Sequence, residues 1–301
     1  KRCPKDIANA LFFSASRIKK FHLHQIPKNY KYKDNKGVIL GSQWKPINSI
    51  GIYVPGGTAS YPSSILMSSI PAKMAGVKKI VMATPQKNIK LNSITAKAAE
   101  IAGIDMIYRV GGAHSIAALA WGTKSIESVD KIVGPGNIYV TIAKKIIFGE
   151  VGIDMIAGPS EILVVSDKNN NPDWIAADLL SQAEHDVNSR SILLTDDFLF
   201  AKKVIKSIDF ILKKLPRAPI ASKSWKNNGK IIIIKNILNC YKIINQLAPE
   251  HLELAIDKPE KIFYKVNNAG SVFLGRYTPE AIGDYVAGPN HILPTGRTAR
   301  F

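Results

Sequence analysis

Gln182 and His185 are a pair of residues whose types and spacing suggest chemistry. They end the stretch NPDWIAADLLSQAEH, in which Pro172 suits the first turn of a helix and apolar residues follow at helical intervals. Residues three apart share a helix face, so an amide oxygen and an imidazole nitrogen can converge there as half of a zinc site. Taken alone, such a pair is more often a solvent-exposed helix end.

Carboxylates and imidazoles recur on predicted turns later in the chain. Glu250 and His251 are adjacent in the string PEH and form a candidate general acid/base pair, although an isolated Glu-His pair is more often a surface feature. Asp284 lies in GDYVAGPNH, ahead of His291. Its carboxylate is a candidate metal ligand or a cap for local backbone.

Gly/Pro turns follow several predicted strands, and glycine lets backbone N–H groups approach a phosphate at the start of the next helix. None of these turns is a GxGxxG motif or a P-loop, so a nucleotide or phosphate site and simple tight turns remain alternative interpretations. In open α/β sheets, ligands bind at the carboxyl ends of the strands, and we expect the same here. The turns are residues 55–57, 111–112, 134–137 and 158–160.

The elements that must position these residues alternate between strand and helix from residue 49 onward, which is typical of βαβ units. Two such blocks predict an α/β fold with two doubly wound, Rossmann-like domains and mostly parallel sheets, preceded by a helical N-terminal segment. The predicted domains are 1–50, a helix and connector packed on the second domain, then 51–160 and 161–301. Within the last, residues 172–185 and 279–286 are predicted helices and 215–229 a long loop.

Composition excludes some classes of function. The 41 Lys and Arg against 23 Asp and Glu give a net charge of +18, but this charge is spread through the chain. A nucleic-acid surface would cluster arginines and aromatic residues, so we interpret the excess mainly as compositional bias and only secondarily as a hint of anionic ligands. There is no apolar run for a membrane span and no signal peptide, and the two cysteines favour a reducing, cytoplasmic location. A chain that starts at Lys1 and stops at Phe301 suggests an internal fragment.

Long strings spread over residues 51–301 resemble the histidinol dehydrogenases, whereas residues 1–50 match that family more loosely. The resemblance implies oxidation of L-histidinol to L-histidine through a bound aldehyde, with reduction of two NAD⁺, as the last step of histidine biosynthesis. It makes 51–160 the NAD-binding domain and 161–301 the zinc- and substrate-binding domain. The strings include GIYVPGG, VDKIVGPGN, DLLSQAEHD, LAPEHLEL, NAGSVFLG and GDYVAGPNHILPTGRTARF.

The resemblance also implies roles for individual residues. One Zn²⁺ per subunit would be held by Gln182, His185 and Asp284, and would orient the substrate rather than activate water. Glu250 would activate water against the bound aldehyde, and His251 would take the alcohol proton as hydride leaves.

Further contacts are implied on the substrate and cofactor sides. Ser160 matches a substrate contact, shared with the zinc ligands and His251, while Tyr53 and Asn137 match contacts to NAD⁺. His114 stands where the family has a cofactor-contacting Gln. The family is a homodimer in which the partner's C-terminal segment supplies a further Glu and His. The alternatives are a related NAD-dependent dehydrogenase of another small amino alcohol, or an inactive remnant.

Overall fold

A computed structural model describes residues 2–56, 61–86 and 91–301 and divides the chain into two units. The first comprises residues 1–156 and 284–292, and the second comprises residues 157–283 and 293–301. The boundary predicted at residue 160 thus lies at residue 156. That residues 284–292 belong to the first unit could not be predicted, because a short return of the chain to an earlier unit leaves no mark in composition or periodicity.

The first unit consists of a helix, a hairpin and a doubly wound α/β sheet. Its described central strands are all parallel and follow the order β5-β4-β3-β6-β7. Adjacent strand residues point to opposite faces, so Ile80 and Met82 enter one core cluster and Val81 and Ala83 the other. The elements are α1 (Lys5–His22), β1 (Tyr30–Lys33), β2 (Ile39–Ser42), β3 (Ser49–Tyr53), α2 (Pro62–Ala75), β4 (Lys79–Ala83), α3 (Ser93–Ala102), β5 (Met106–Tyr108), α4 (Gly112–Trp121), β6 (Lys131–Val133), α5 (Ile138–Ile147) and β7 (Gly152–Ile153).

Helix α1 packs within the first unit. Its buried residues Leu11 and Ile18 join the core cluster that contains Ile65 and Leu66 of α2, and α1 also contacts α3. The expectation that residues 1–50 pack on the second domain is therefore wrong. An amphipathic pattern shows which face of a helix is buried but does not identify what covers that face.

The second unit repeats the same strand order. Its described strands run parallel as β10-β9-β8-β11-β12, so in both units the order reverses beside the first strand of the block. The fold prediction of two doubly wound domains with parallel sheets is confirmed. The elements are β8 (Glu161–Ser166), α6 (Pro172–Ala183), β9 (Arg190–Thr195), α7 (Phe198–Leu212), α8 (Ala218–Asn228), β10 (Lys230–Ile233), α9 (Tyr241–Leu247), β11 (His251–Ala255), α10 (Glu260–Phe263) and β12 (Ser271–Leu274).

Three predicted elements, one loop and two helices, need correction. The predicted loop at 215–229 contains α8, because Pro219 occupies the first turn, where a missing N–H costs nothing, and Ala221 is buried. The helix predicted to end at residue 185 ends at Ala183, and the helix predicted at 279–286 is only the 3-10 turn Glu280–Ile282. Among the described residues, no helix has the length and apolar character needed to cross a membrane.

Candidate active site

The predicted substrate-side residues of the second unit lie at the amino ends of its strands. Glu250 directly precedes β11, His251 is its first residue, and Ser160 directly precedes β8. These two strands are neighbours at the point where the strand order reverses. Helix α6 returns across the sheet, which brings its last turn with Gln182 to the same end. The predicted substrate-side residues of this unit therefore do not lie at the carboxyl ends of its strands, where ligands were expected.

The backbone of Glu161 contacts both members of the predicted acid/base pair. Its N–H donates to Oε2 of Glu250 at 2.9 Å, and its carbonyl oxygen lies 3.1 Å from Nδ1 of His251. Both side chains are buried. Because a carbonyl oxygen only accepts hydrogen bonds, this network assigns the ring hydrogen to Nδ1 and leaves Nε2 as the basic nitrogen.

Glu161 also carries a carboxyl group that the sequence analysis passed over. Nη1 of Arg190 lies 3.1 Å from Oε1 of Glu161. Burial raises the pKa of the Glu161 carboxyl, and the neighbouring Arg190 partly offsets the rise. The available signal was its place at the end of AGPSE, where a carboxylate immediately precedes a wholly apolar run.

A cluster of buried carboxyl groups lies on the Nε2 side of His251. Oε1 of Glu280 is 3.4 Å from Nε2, and Glu253 shares the sheet face of His251 because it lies two residues further along β11. Burial raises the pKa of Glu253 to about 9, and the charge and hydrogen bond of Asp178 add to the rise. Burial likewise raises the pKa of Asp178 to about 6. The signal in the sequence was a glutamate inside the apolar strand HLELA.

The predicted zinc ligands of the second unit differ in exposure. Gln182 is 1% exposed, and its Oε1 has no hydrogen-bond partner within the described part of the chain. His185 is exposed, two residues past the helix end, and its N–H donates to the Gln182 carbonyl at 3.1 Å. An orphaned buried amide oxygen is costly unless something binds it, so Gln182 fits a metal ligand.

Asp284, the third predicted ligand, belongs to the first unit. Its Oδ1 lies 2.9 Å from Nδ1 of His291, and Nε2 of that ring lies 3.5 Å from the hydroxyl of Ser64. Over residues 2–56, 61–86 and 91–301, no three His, Cys, Asp or Glu side chains are grouped as a metal site. The His291 ring thus lies between Asp284 and Ser64.

The predicted cofactor contacts lie at carboxyl ends of the first unit's strands, as expected. Tyr53 ends β3, and its hydroxyl accepts the N–H of Gly112 at 3.2 Å. Asn137 follows β6 and caps α5, with Oδ1 accepting two backbone N–H groups at 3.1 and 3.2 Å. His114 is exposed in the first turn of α4. Of the 55–57 turn, Gly57 lies outside the described residues.

A buried ion pair fixes the 134–137 turn. Oδ2 of Asp154 accepts the N–H of Gly134 at 2.7 Å, while Nζ of Lys144 donates to the Gly134 carbonyl at 3.0 Å and pairs with Asp154. Gly134 has φ +110°, and a Cβ there would lie 2.1 Å from the carbonyl oxygen of Tyr53. This turn therefore requires glycine and approaches the end of β3 closely.

A cavity of about 720 Å³ lies elsewhere in the first unit. Trp44, Met67 and other mainly apolar side chains line it, together with Asp154 and Asn290. None of the predicted catalytic, cofactor or metal residues lines this cavity.

Comparison with known proteins gives one consistent result. A family model described as histidinol dehydrogenase matches residues 1–301. A histidinol dehydrogenase 1 from Nostoc sp. is 54% identical over 300 residues, which are 100% of this chain and 70% of that protein. A histidinol dehydrogenase from Rhodospirillum rubrum is 55% identical over 296 residues, which are 98% of this chain and 68% of that protein.

Solved structures agree with this result. The crystal structure of histidinol dehydrogenase from Elizabethkingia anophelis has a TM-score of 0.96 and 43% identity, and the match covers 99% of this chain and 69% of that one. An acetylating aldehyde dehydrogenase from Geobacillus thermoglucosidasius shares the fold alone, at a TM-score of 0.54 and 13% identity over 94% of this chain and 82% of that one.

Proposed function

The chain belongs to the histidinol dehydrogenase family, and we propose that it oxidises L-histidinol to L-histidine through a bound L-histidinaldehyde while two NAD⁺ are reduced. The observation that carries this proposal is the buried Glu250–His251 pair on the backbone of Glu161. Oxidation of an alcohol and then of an aldehyde requires one base for the hydroxyl proton and one for a water proton. Two adjacent bases in one fixed geometry meet that requirement.

His251 serves the alcohol step. Its Nε2 accepts the hydroxyl proton while the carbinol C–H bond breaks, and NAD⁺ supplies the hydride acceptor. The hydrogen bond from Nδ1 to the Glu161 carbonyl holds the ring in the tautomer that leaves Nε2 basic. Positioned acid–base catalysis of this kind contributes about 10²–10⁴-fold to a rate.

Glu250 serves the aldehyde step. Its carboxylate takes a proton from water as the oxygen adds to the aldehyde carbon, and the C–H hydride of the resulting hydrate would go to the second NAD⁺. The N–H of Glu161 orients this carboxylate at 2.9 Å, and burial keeps bulk water away from the aldehyde. An aldehyde retained in this way passes to the second step without release.

Gln182, His185 and Asp284 would hold zinc, whose role is to bind the substrate's imidazole and amine and so fix its orientation. The orphaned Oε1 of Gln182 supports this assignment. Ser160 would contact the substrate from the start of β8. The family resemblance also implies a homodimer, in which the partner subunit completes the zinc and substrate sites.

NAD⁺ would bind at the carboxyl ends of β3 and β6 in the first unit, beside Tyr53 and Asn137. Because Oδ1 of Asn137 caps α5, its amide nitrogen is the group offered to the cofactor. The clamped Gly134 turn keeps this helix start in place.

The test is the stoichiometry of the complete native protein. L-Histidinol should yield two NADH and one L-histidine per molecule consumed, without free aldehyde. Turnover of a panel of other small amino alcohols should also be measured, to test the alternative of a related dehydrogenase with another substrate. Faster turnover of one of those, or no NADH from histidinol, would overturn the proposal.

A further inference from the structure

The basic nitrogen of His251 faces a carboxyl group that the proposed reaction has not used. Nε2 lies 3.4 Å from Oε1 of Glu280, the first residue of the 3-10 turn Glu280–Ile282. Glu280 is 2% exposed, so little water separates the two charges. A carboxylate at this distance favours the protonated imidazole and so strengthens Nε2 as a proton acceptor.

Glu280 is itself surrounded by other polar side chains of the second unit. The hydroxyl of Ser181 on α6 lies 3.5 Å from Oε2 of Glu280. Glu253 and Asp178 lie behind it and hydrogen-bond to each other. Because the pKa of Glu253 is about 9, this carboxyl is neutral near pH 7. It therefore adds no negative charge beside Glu280.

Other titratable groups reach His251 through its opposite nitrogen. Oε2 of Glu250 is 3.7 Å from Nδ1, and Glu161 contributes its carbonyl there, while its own carboxyl pairs with Arg190 of β9. Glu280 approaches Nε2 instead. The two ring nitrogens therefore have different partners. The Glu161 carbonyl at Nδ1 fixes the tautomer, and the Glu280 carboxylate lies beside the basic lone pair of Nε2.

We propose that Glu280 is a positioning residue for the alcohol step: its carboxylate, 3.4 Å from Nε2, stabilises the imidazolium that His251 forms when Nε2 accepts the hydroxyl proton. This inference deepens the proposed function and rests on it. In the step, the substrate O–H bond breaks, an N–H bond forms at Nε2, and the hydride passes to NAD⁺. The carboxylate of Glu280 offsets the positive charge that the imidazole gains.

Glu280→Gln tests the inference because it keeps the size of the side chain and removes its charge. In the complete native protein, kcat/KM for histidinol oxidation should rise with pH as His251 loses its proton. The variant should shift this rise to lower pH by about one unit, since loss of a carboxylate lowers the pKa of a neighbouring imidazole. The KM for NAD⁺ should stay unchanged. A rise at the native pH would overturn the inference.

Three further variants keep the outcomes distinct. Glu280→Asp keeps the charge and should keep the native pH profile even if the Gln variant folds poorly; a shift equal to that of the Gln variant would also overturn the inference. Glu253→Gln exchanges a neutral carboxyl for a neutral amide and should leave the position of the rise unchanged. His251→Asn should abolish the alcohol step. If it does not, the proposed function fails independently of Glu280.

Discussion

Glu253→Gln should stabilise the second unit, and more strongly as pH rises. The side chain is 1% exposed on β11, and its pKa is raised to about 9, first by burial and then by Asp178. Gln has nearly the same shape and is neutral at every pH. The native protein must keep a proton on Glu253 that the unfolded chain releases, whereas the variant has no such requirement.

The magnitude follows from the two pKa values. The unfolded carboxyl titrates near 4.5, so between pH 4.5 and about 9 the native state binds one proton more than the unfolded state. Native stability therefore falls as pH rises through this window, by about 1.4 kcal/mol per pH unit. Asp178, with a pKa of about 6, contributes in the same direction only below pH 6. From pH 6 to 8 the variant should gain about 3 kcal/mol over the native protein.

The assay is urea unfolding at pH 6, 7 and 8. Hydrogen exchange of the β11 amides serves as the signal, so that unfolding of the second unit is measured. Subtracting the native free energy of unfolding from that of the variant removes the titration of every group that does not interact with Glu253. Glu260→Gln, at an exposed position of the same unit, is the matched control and should show no pH-dependent difference. A Glu253→Gln difference that stays constant from pH 6 to 8 would refute the burial argument.

Two other predictions concern the turn at Gly134 and the zinc ligands. Lys144→Met should lower the free energy of unfolding of the first unit by about 1.5–3 kcal/mol, because the Asp154 carboxylate loses its buried positive partner but keeps the N–H groups of Gly134 and Met155. The exposed Lys145→Met should change it little, and equal urea midpoints for both variants would contradict this. Gln182→Leu should lower zinc content by metal analysis yet stabilise the zinc-free protein by about 1 kcal/mol, because an orphaned buried oxygen is removed; an unchanged zinc content would exclude Gln182 as a ligand.

Local periodicity was enough to predict most of the fold. Strands such as β4 and β8 are short apolar runs bounded by turns, and their alternation with helices predicted two parallel sheets of Rossmann type. The same signals misled at α8, where Pro219 and Gly229 mark the two ends of a helix and not a loop. They also could not identify the partner of α1, because the core around Leu11 and Ile18 depends on contacts distant in sequence.

The candidate site was predicted less completely. Glu250 and His251 could be predicted as a pair because they are adjacent in sequence. Glu280 lies 29 residues beyond His251, and only the fold brings its carboxyl to 3.4 Å from Nε2. The position at amino ends of strands was also not predicted, because it depends on where the chain enters β8 and β11 and not on residue type.

The most direct test of the account is the product formed from L-histidinol by Glu250→Gln in the complete native protein. With water activation lost and His251 intact, the variant should form one NADH per histidinol and accumulate histidinaldehyde, which a carbonyl-trapping reagent would capture. The native protein should form two NADH and L-histidine. If the variant also forms two NADH and histidine at the native rate, the division of labour between Glu250 and His251 is wrong.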